Sequence, residues 1–471
     1  MTGGICRAGI LNQAIFVTLL LGGLFAGPIV SAQMRTVRIV TYNIEADING
    51  ATSPLPGLIA PPGNPTSYAA GGVLEGIGEE IIGNDPAQPL DVLALQETTS
   101  NPQTVTPIVN ALNTFYGIAG MYSNSSYQAT ESGGDIADGN GPNAVVFNTQ
   151  TLQLLASTPV DPAGGTSKLG SGGGEYREVV RYEFAPAGVF PASANEFYIY
   201  VSHYKSGTTS TDAKDRAEEA QIIRTNEAID LPATARVIYV GDYNVDTSGE
   251  AGYQTILSNA APDGVQQGQG VDPLNPTNNP NLDWSASTTS TNLLAMLTEH
   301  SYELEYRDDL QVMTTNVYYG SPGGFKYVTG TYHAFGNNGT TAYYGSVNSG
   351  TDTALNNRLV TNGPVFINGP QLFLDLTNAS DHLPVVADYT VPVPAPVITS
   401  VSEVGSNLVL SVTNGITNAT YTVVTTTNLA APFTQWTALA TNAAGAGNFT
   451  VTITNAVIPG VSGQFFLLQE R

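Results

Sequence analysis

The chain has 471 residues and a formal net charge of −24, from 39 Asp+Glu against 15 Lys+Arg. Only four residues are lysine and no basic run occurs, so a broad grip on a nucleic-acid backbone, which draws on clustered Lys and Arg, is not supported. The single cysteine, Cys6, leaves everything after it without disulfides, thiolate catalysis or Cys-ligated metal.

Residues 1–32 read as a signal peptide. Arg7 supplies the positive region, Ala14 to Ala26 is almost uninterruptedly apolar, and Val30-Ser31-Ala32 fits a small-residue cleavage site. The apolar run is short for a membrane span. Export to a secreted or cell-surface location is therefore expected, with Gln33 as the new N-terminus, and acidity would keep such a protein soluble. A chain of this length can bury a core without disulfides.

From there, five short apolar runs end in carboxylate, amide or imidazole: Thr41–Glu45, Asp91–Glu97, Tyr200–His203, Val240–Asn244 and Ser380–Val385. Buried strands read this way when they deliver polar groups at their C-terminal ends. Convergence of the five would place Asn, Glu, Asp and His around one hard divalent cation and one phosphate. Between them, Ala51 to Tyr68 is a Pro/Gly-rich loop expected near the site. Val73 to Ile82 repeats apolar residues at a spacing of four and predicts a helix. Asp212 to Ile229 predicts a longer one, with Asp212 or Thr211 as N-cap, a charged face through Lys214, Asp215, Arg216, Glu218 and Glu219, and an apolar face through Ala220, Ile223 and Ala228. Gly320 to Asn362 is rich in Gly, Asn, Thr and Tyr and includes His333.

The composition changes at Pro392–Pro396, a proline-spaced stretch expected to be extended. Beyond it, residues 397–471 lack His and Lys, and Leu408–Val412, Tyr421–Thr425 and Phe449–Ile453 read as short strands of a small β-sandwich. With no catalytic constellation, this part suits a spacer, or a module that binds the cell surface or sorting machinery. The expected organisation is thus residues 33–391 as the catalytic domain, 392–396 as linker and 397–471 as the C-terminal module.

In their order and chemistry the five segments resemble the endonuclease/exonuclease/phosphatase superfamily, which includes deoxyribonuclease-I-like nucleases, abasic-site endonucleases, inositol polyphosphate phosphatases and bacterial sphingomyelinases. The resemblance covers roughly Val37 to Tyr389. It implies an α/β fold, a four-layer αββα sandwich, and phosphoester hydrolysis with Mg²⁺ or Mn²⁺ and no organic cofactor.

Residue by residue, Glu97 follows a fully apolar run, so it is either an exposed strand end or an expensive buried charge. With Asn43 it matches the family's metal ligands. Asp242 and Asn244 share a strand face. Asp242 would orient and deprotonate the attacking water, and Asn244 would hold that water or a phosphate oxygen; a metal-bound hydroxide is the other candidate base. By resemblance His382 contacts the scissile phosphate and stabilises the transition state. Its carboxylate partner is Asp309 or, because Gln311 interrupts the apolar strand there, Asp308. Asp381 is a metal or water contact, and Glu45 a second-metal candidate. His203 matches a phosphate-contacting position, and Tyr204-Lys205-Ser206-Gly207 resembles the extracellular-nuclease-like branch. Lys205 either meets phosphate or is solvated. Arg216 reads as a structural ion pair. His300 has no motif support, and His333 could reach the substrate from the insertion.

The reading is an exported metal-dependent phosphoesterase. Nucleic acid is the first substrate. A phospholipid (sphingomyelinase-like) or small phosphoester is the second, favoured by the acidity and scarce Lys. A non-catalytic extracellular binding protein on the same fold is the third.

Overall fold

In the first strand, β1 (Gln33–Asn43), Val37, Ile39, Thr41 and Asn43 share one face, Val40 and Tyr42 the other, and all are buried. A strand buried on both faces needs a layer on each side. The computed structural model describes residues 33–46, 57–59, 72–82, 87–129, 141–160, 168–169, 174–175, 177–187, 195–259, 264, 266–285, 287–300, 304–320, 323–339, 369–393, 396–415, 420–428, 430–431, 435–443, 447–456 and 465–470. The predicted signal peptide lies outside the described residues, as do most of the 51–68 loop and the second half of the 320–362 insertion. Among the described residues no helix is long and apolar enough to cross a membrane.

The described residues fall into two units, the larger running from Thr36 to Val391. After β1 it contains α1 (Val73–Gly78), β2 (Val92–Gln96), α2 (Thr106–Tyr116), β3 (Tyr122–Asn124), β4 (Ala144–Asn148), β5 (Leu152–Val160) and a short ribbon, β6 (Lys168–Leu169) and β7 (Gly174–Glu175). Next come β8 (Val179–Pro186), β9 (Phe197–His203), α3 (Ser210–Asp230), β10 (Val237–Asp242), α4 (Ala251–Leu257), β11 (Gly270–Val271) and α5 (Thr291–Leu294). Then follow β12 (Asp309–Thr314), α6 (Thr315–Tyr318), β13 (Lys326–Tyr327), β14 (His333–Ala334), α7 (Gly369–Ala379) and β15 (Val385–Val393).

One sheet has seven strands, ordered β13-β15-β1-β2-β4-β3 with β14 on β15, and the other six, ordered β11-β12-β10-β9-β8-β5. β2 packs on β9 and β10, so the sheets meet face to face. A row of rings runs through the interface: Phe147 edge-on to Phe184 at 5.6 Å, then Phe197, Phe325 and Tyr389 stacked in succession at 5.8, 4.4 and 5.6 Å. Outside, α2 packs on β3 and α1 on α2 and α7, while α3 packs on β5 and α4 on β11. The result is the four-layer αββα sandwich.

Four expectations need correction. The first helix stops at Gly78, because Gly76 and Gly78 are poor helix formers and buried Arg38 takes the carbonyls of Ile77 and Glu80, at 2.7 and 3.0 Å. The N-cap of α3 is Thr209, whose hydroxyl accepts from Asp212 N at 3.2 Å while the Asp212 carboxylate accepts from Thr209 N at 2.9 Å. Part of that helix's charged face is buried, including Arg216 and Glu219. Finally, β15 runs to Val393, so Pro392 lies inside a strand; a strand end tolerates a residue without a donor.

The other unit comprises two three-stranded antiparallel sheets. One contains β16 (Val397–Val404), β17 (Asn407–Gly415) and β20 (Gly447–Ile453); the other contains β18 (Thr420–Thr426), β19 (Thr437–Ala443) and β21 (Phe465–Glu470). Leu410, Val412, Val423, Val451 and Ile453 form its core, as in a small β-sandwich.

Candidate active site

Register brings the polar strand ends together. Asn43 pairs with Gln96 across β1 and β2, so Glu97 emerges one residue beyond. Asp242 has His203 as its register partner on β9 and Asp309 on β12. Residues in register across neighbouring strands share a face, so His203, Asp242 and Asp309 line up on one side. The preceding Gly241, at φ +143°, has no alternative: a Cβ there would collide with the carbonyl oxygen of Ser202.

The side chains form one connected cluster. Asn43 Nδ2 donates to Glu97 Oε1 at 3.1 Å and Asp242 Oδ2 at 3.0 Å, and lies 3.4 Å from His382 Nε2. His203 Nε2 is 3.3 Å from Asp242 Oδ2 and 3.7 Å from Glu97 Oε1. His382 Nδ1 meets Asp309 Oδ2 at 2.8 Å, and its Nε2 is 3.9 Å from Asp242 Oδ2 and 3.8 Å from Asp381 Oδ1. Asp381 is the open edge of the cluster, its side chain 41% exposed.

Backbone strain gathers here. Glu45, Glu97 and Asn244 all adopt left-handed φ, at 48°, 56° and 48°, each just past a strand end. Such conformations cost about 1–3 kcal/mol each and persist only where the surroundings over-determine them. Asn244 is held on both sides: its N–H donates to Asp242 Oδ1 at 2.9 Å and its amide Nδ2 to Tyr204 O at 3.1 Å.

The choice between Asp308 and Asp309 is resolved by geometry. Asp309 partners His382, while the Asp308 carboxyl hydrogen-bonds Glu299 and is driven well up by burial, Glu299 and Asp242. Gln311 does not break β12. It points between the sheets, where Nε2 donates to Ile39 O and Val385 O at 2.9 and 2.7 Å.

The two site histidines are pushed apart. Burial disfavours the His382 imidazolium, but Asp309, Asp242 and Asp381 outweigh it and hold His382 well above the ordinary histidine value. For His203, burial acts together with Arg177, His382 and Lys205, and the imidazole is held neutral. Burial also lifts Glu97 to about 7, with His382 and Asn43 opposing and Asp242 and Asp381 adding.

Several residues stand elsewhere. Lys205 is outside the cluster: its ammonium donates to Ser206 O at 2.9 Å and lies 3.9 Å from Asp212. His333 does not face the site. Its Nε2 pairs with buried Glu80 at 2.9 Å and its Nδ1 with Thr331 O at 2.7 Å. Glu45 adjoins Asp381, whose N–H donates to Glu45 Oε2 at 3.1 Å.

Four neighbours carry no role in the sequence reading. Buried Arg177 donates to Tyr204 O, with Nε and Nη2 unpartnered. Ser380 Oγ bridges Asn43 O at 2.7 Å and His382 N at 3.0 Å. Thr298 Oγ1 accepts from Asp308 N and Asp309 N. His300 donates its N–H to Asp381 O, and burial lowers its imidazole to about 4. Of these, only Ser380 lies in one of the five segments, as the first residue of Ser380–Val385.

The donor set fits a hard divalent cation. Glu97 Oε2 is buried without a hydrogen-bond partner beside Asp242, and a cation is the partner such an oxygen lacks. Among the described residues no group of three His, Cys, Asp or Glu forms a ready-made chelating cage.

A model of the Endonuclease/Exonuclease/phosphatase family matches residues 40–382. Similar solved structures include the human Nocturnin catalytic domain with bound sulfate anion, at 14% identity, covering 76% of this chain and 97% of that one, with a TM-score of 0.39. An endonuclease/exonuclease/phosphatase from Beutenbergia cavernae is 14% identical, covering 92% and 100%, with a TM-score of 0.34. A mannosyl-6-phosphatase from Bacteroides thetaiotaomicron is 12% identical, covering 75% and 99%, with a TM-score of 0.35. Likeness at this level says nothing of substrate. No curated protein matches the chain.

Proposed function

This chain belongs to the endonuclease/exonuclease/phosphatase family, whose members are phosphoester hydrolases, and from that premise we propose that it is an exported phosphodiesterase acting on extracellular nucleic acid with Mg²⁺ or Mn²⁺. The observation that carries the reading is the cluster in which Asn43 touches Glu97, Asp242 and His382 together. Asn43 and Glu97 would hold the cation, with Asp381 at the edge. When bound, it offsets negative charge on the phosphoryl group.

The chain's own groups divide the remaining work. Asp242, fixed through Asn244 N and Asn43, takes the proton of the attacking water. The water oxygen bonds to phosphorus as the bond to the opposite, leaving oxygen breaks, and that oxygen takes a proton from solvent. His382, cationic and aimed by Asp309, donates to a phosphoryl oxygen as charge develops. Neutral His203 keeps its Nε2 toward the carboxylates of Asp242 and Glu97 and so helps hold the base in place.

A phospholipid or small phosphoester is the second substrate class, favoured by the net charge of −24. The full chain incubated with bis(4-nitrophenyl) phosphate, chelator and then Mg²⁺ or Mn²⁺ tests the chemistry. DNA, RNA, sphingomyelin and inositol phosphates tested in parallel decide the substrate. A protein inert toward every diester with either metal is not a phosphodiesterase.

A further inference from the structure

The turn after β9 is held from outside the reaction centre by one buried guanidinium. Arg216 on α3 is 1% exposed. Its Nη1 donates to the carbonyls of Lys205 and Gly207, both at 2.8 Å. Its Nε and Nη2 fork onto Glu250 Oε1 and Oε2 at 2.5 and 3.0 Å, and Glu250 is the N-cap residue of α4. Two carbonyls this close in sequence reach one donor only if the chain reverses, and Gly207 does so at φ +107°.

The other end of the turn is tied into the site. Tyr204 N donates to Asp242 O at 2.8 Å, and Tyr204 O accepts from both Asn244 Nδ2 and Arg177. Lys205 N donates to buried Glu219 at 3.0 Å. Arg216 itself touches none of Asn43, Glu97, Asp242 or His382 through any hydrogen bond it makes.

We infer that Arg216 is a positioning residue for the hydrolysis: anchored by Glu250, it fixes turn 204–207 so that the Tyr204 carbonyl holds Asn244 at its left-handed position beside Asp242. This rests on the phosphodiesterase reading. A planar fork is required, because one end must grip two carbonyls while the other meets a carboxylate; an ammonium is a point charge and cannot do both. The same ion pair also joins α3 to α4, so lost stability alone would not distinguish positioning from a strut.

The test compares full-length wild type, Arg216→Lys and Glu250→Gln, with Mg²⁺ and bis(4-nitrophenyl) phosphate, alongside amide hydrogen exchange over residues 204–209. Expected are native circular dichroism, kcat lowered by about tenfold or more with KM little changed, and faster exchange confined to 204–209. Added guanidinium should partly restore Arg216→Ala. If Arg216→Lys cannot fold, Glu250→Gln alone decides. Wild-type exchange and kcat accompanied by a lowered thermal midpoint would make Arg216 a strut and overturn the inference. A wild type inactive on every diester overturns the functional reading instead, and exchange over 204–209 still decides the clamp.

Discussion

Asp309 Oδ2 stands 2.8 Å from His382 Nδ1, both side chains buried, and this one contact sets the tautomer, orientation and charge of the imidazole that faces Asp242. The contact exists because β12 runs antiparallel to β10 and starts where β10 ends. Asp308, one residue earlier, alternates to the other side and meets Glu299. The neighbouring His203 shares the Asp242 carboxylate yet is held neutral. Two imidazoles with opposed protonation states thus flank one carboxylate at the same pH.

Asp309→Asn keeps the shape and removes the charge. Kcat should fall about 100-fold, with circular dichroism unchanged. The acid–base profile should also move, because loss of the carboxylate lowers the His382 pKa and so brings the alkaline decline to lower pH. An unshifted profile with near-native kcat would mean that His382 acts without Asp309.

Glu97→Gln removes the only anionic group of the proposed Asn43–Glu97 metal pair while relieving a buried charge. Activity should therefore fall by about 10³-fold or more while stability is unchanged or higher, and isothermal titration should show weakened Mg²⁺ binding. Full wild-type activity in excess chelator would contradict the assignment of Glu97.

The sandwich should be sensitive to Gln311. Its amide crosses between sheets to two carbonyls, and its Oε1 accepts the Tyr389 hydroxyl at 3.1 Å. Gln311→Leu leaves these buried groups without that partner and should cost about 2–4 kcal/mol in urea unfolding. A loss below about 0.5 kcal/mol would show that the sheets do not depend on the bridge.

Gln311 also marks where sequence reading reaches its limit. The strand ends are legible because each combines a continuous apolar run with an abrupt polar stop, as in Val92–Gln96 before Glu97. Asn43, Glu97 and Asp242 are therefore identifiable before any coordinates, whereas His382 lies between α7 and the start of β15, so no apolar run ends on it, contrary to the expectation for that segment. A polar residue inside β12 reads as an interruption, since its partners, Ile39 and Val385, lie 272 and 74 residues away. Arg216 reads as an ion pair and Glu219 as part of a charged face, but their partners lie on the turn after β9 and at the start of α4, and helical spacing carries no trace of either. His333 reads as available because its partner, Glu80, is 253 residues away.

The last prediction uses charge to separate substrates. On duplex DNA, log affinity falls with log salt by about 0.9 per phosphate neutralised. Among the described residues five arginines are already engaged: Arg38 on Asp388, Arg216 on Glu250, Arg307 on Asp272 and Arg181 on Asp230, with Arg224 on four backbone carbonyls. Arg177 and Lys205 are the described cations beside the cluster. The enzyme should therefore contact about two phosphates, and kcat/KM on DNA at fixed Mg²⁺ should fall with a log–log slope shallower than about −2. A slope of −5 or steeper would require a basic groove that these residues do not form, and would make polynucleotide binding the main determinant of specificity. A shallow slope with high activity on short oligonucleotides or small diesters is the expected pattern, because the site then grips one phosphate and leaves the rest of the substrate in solvent.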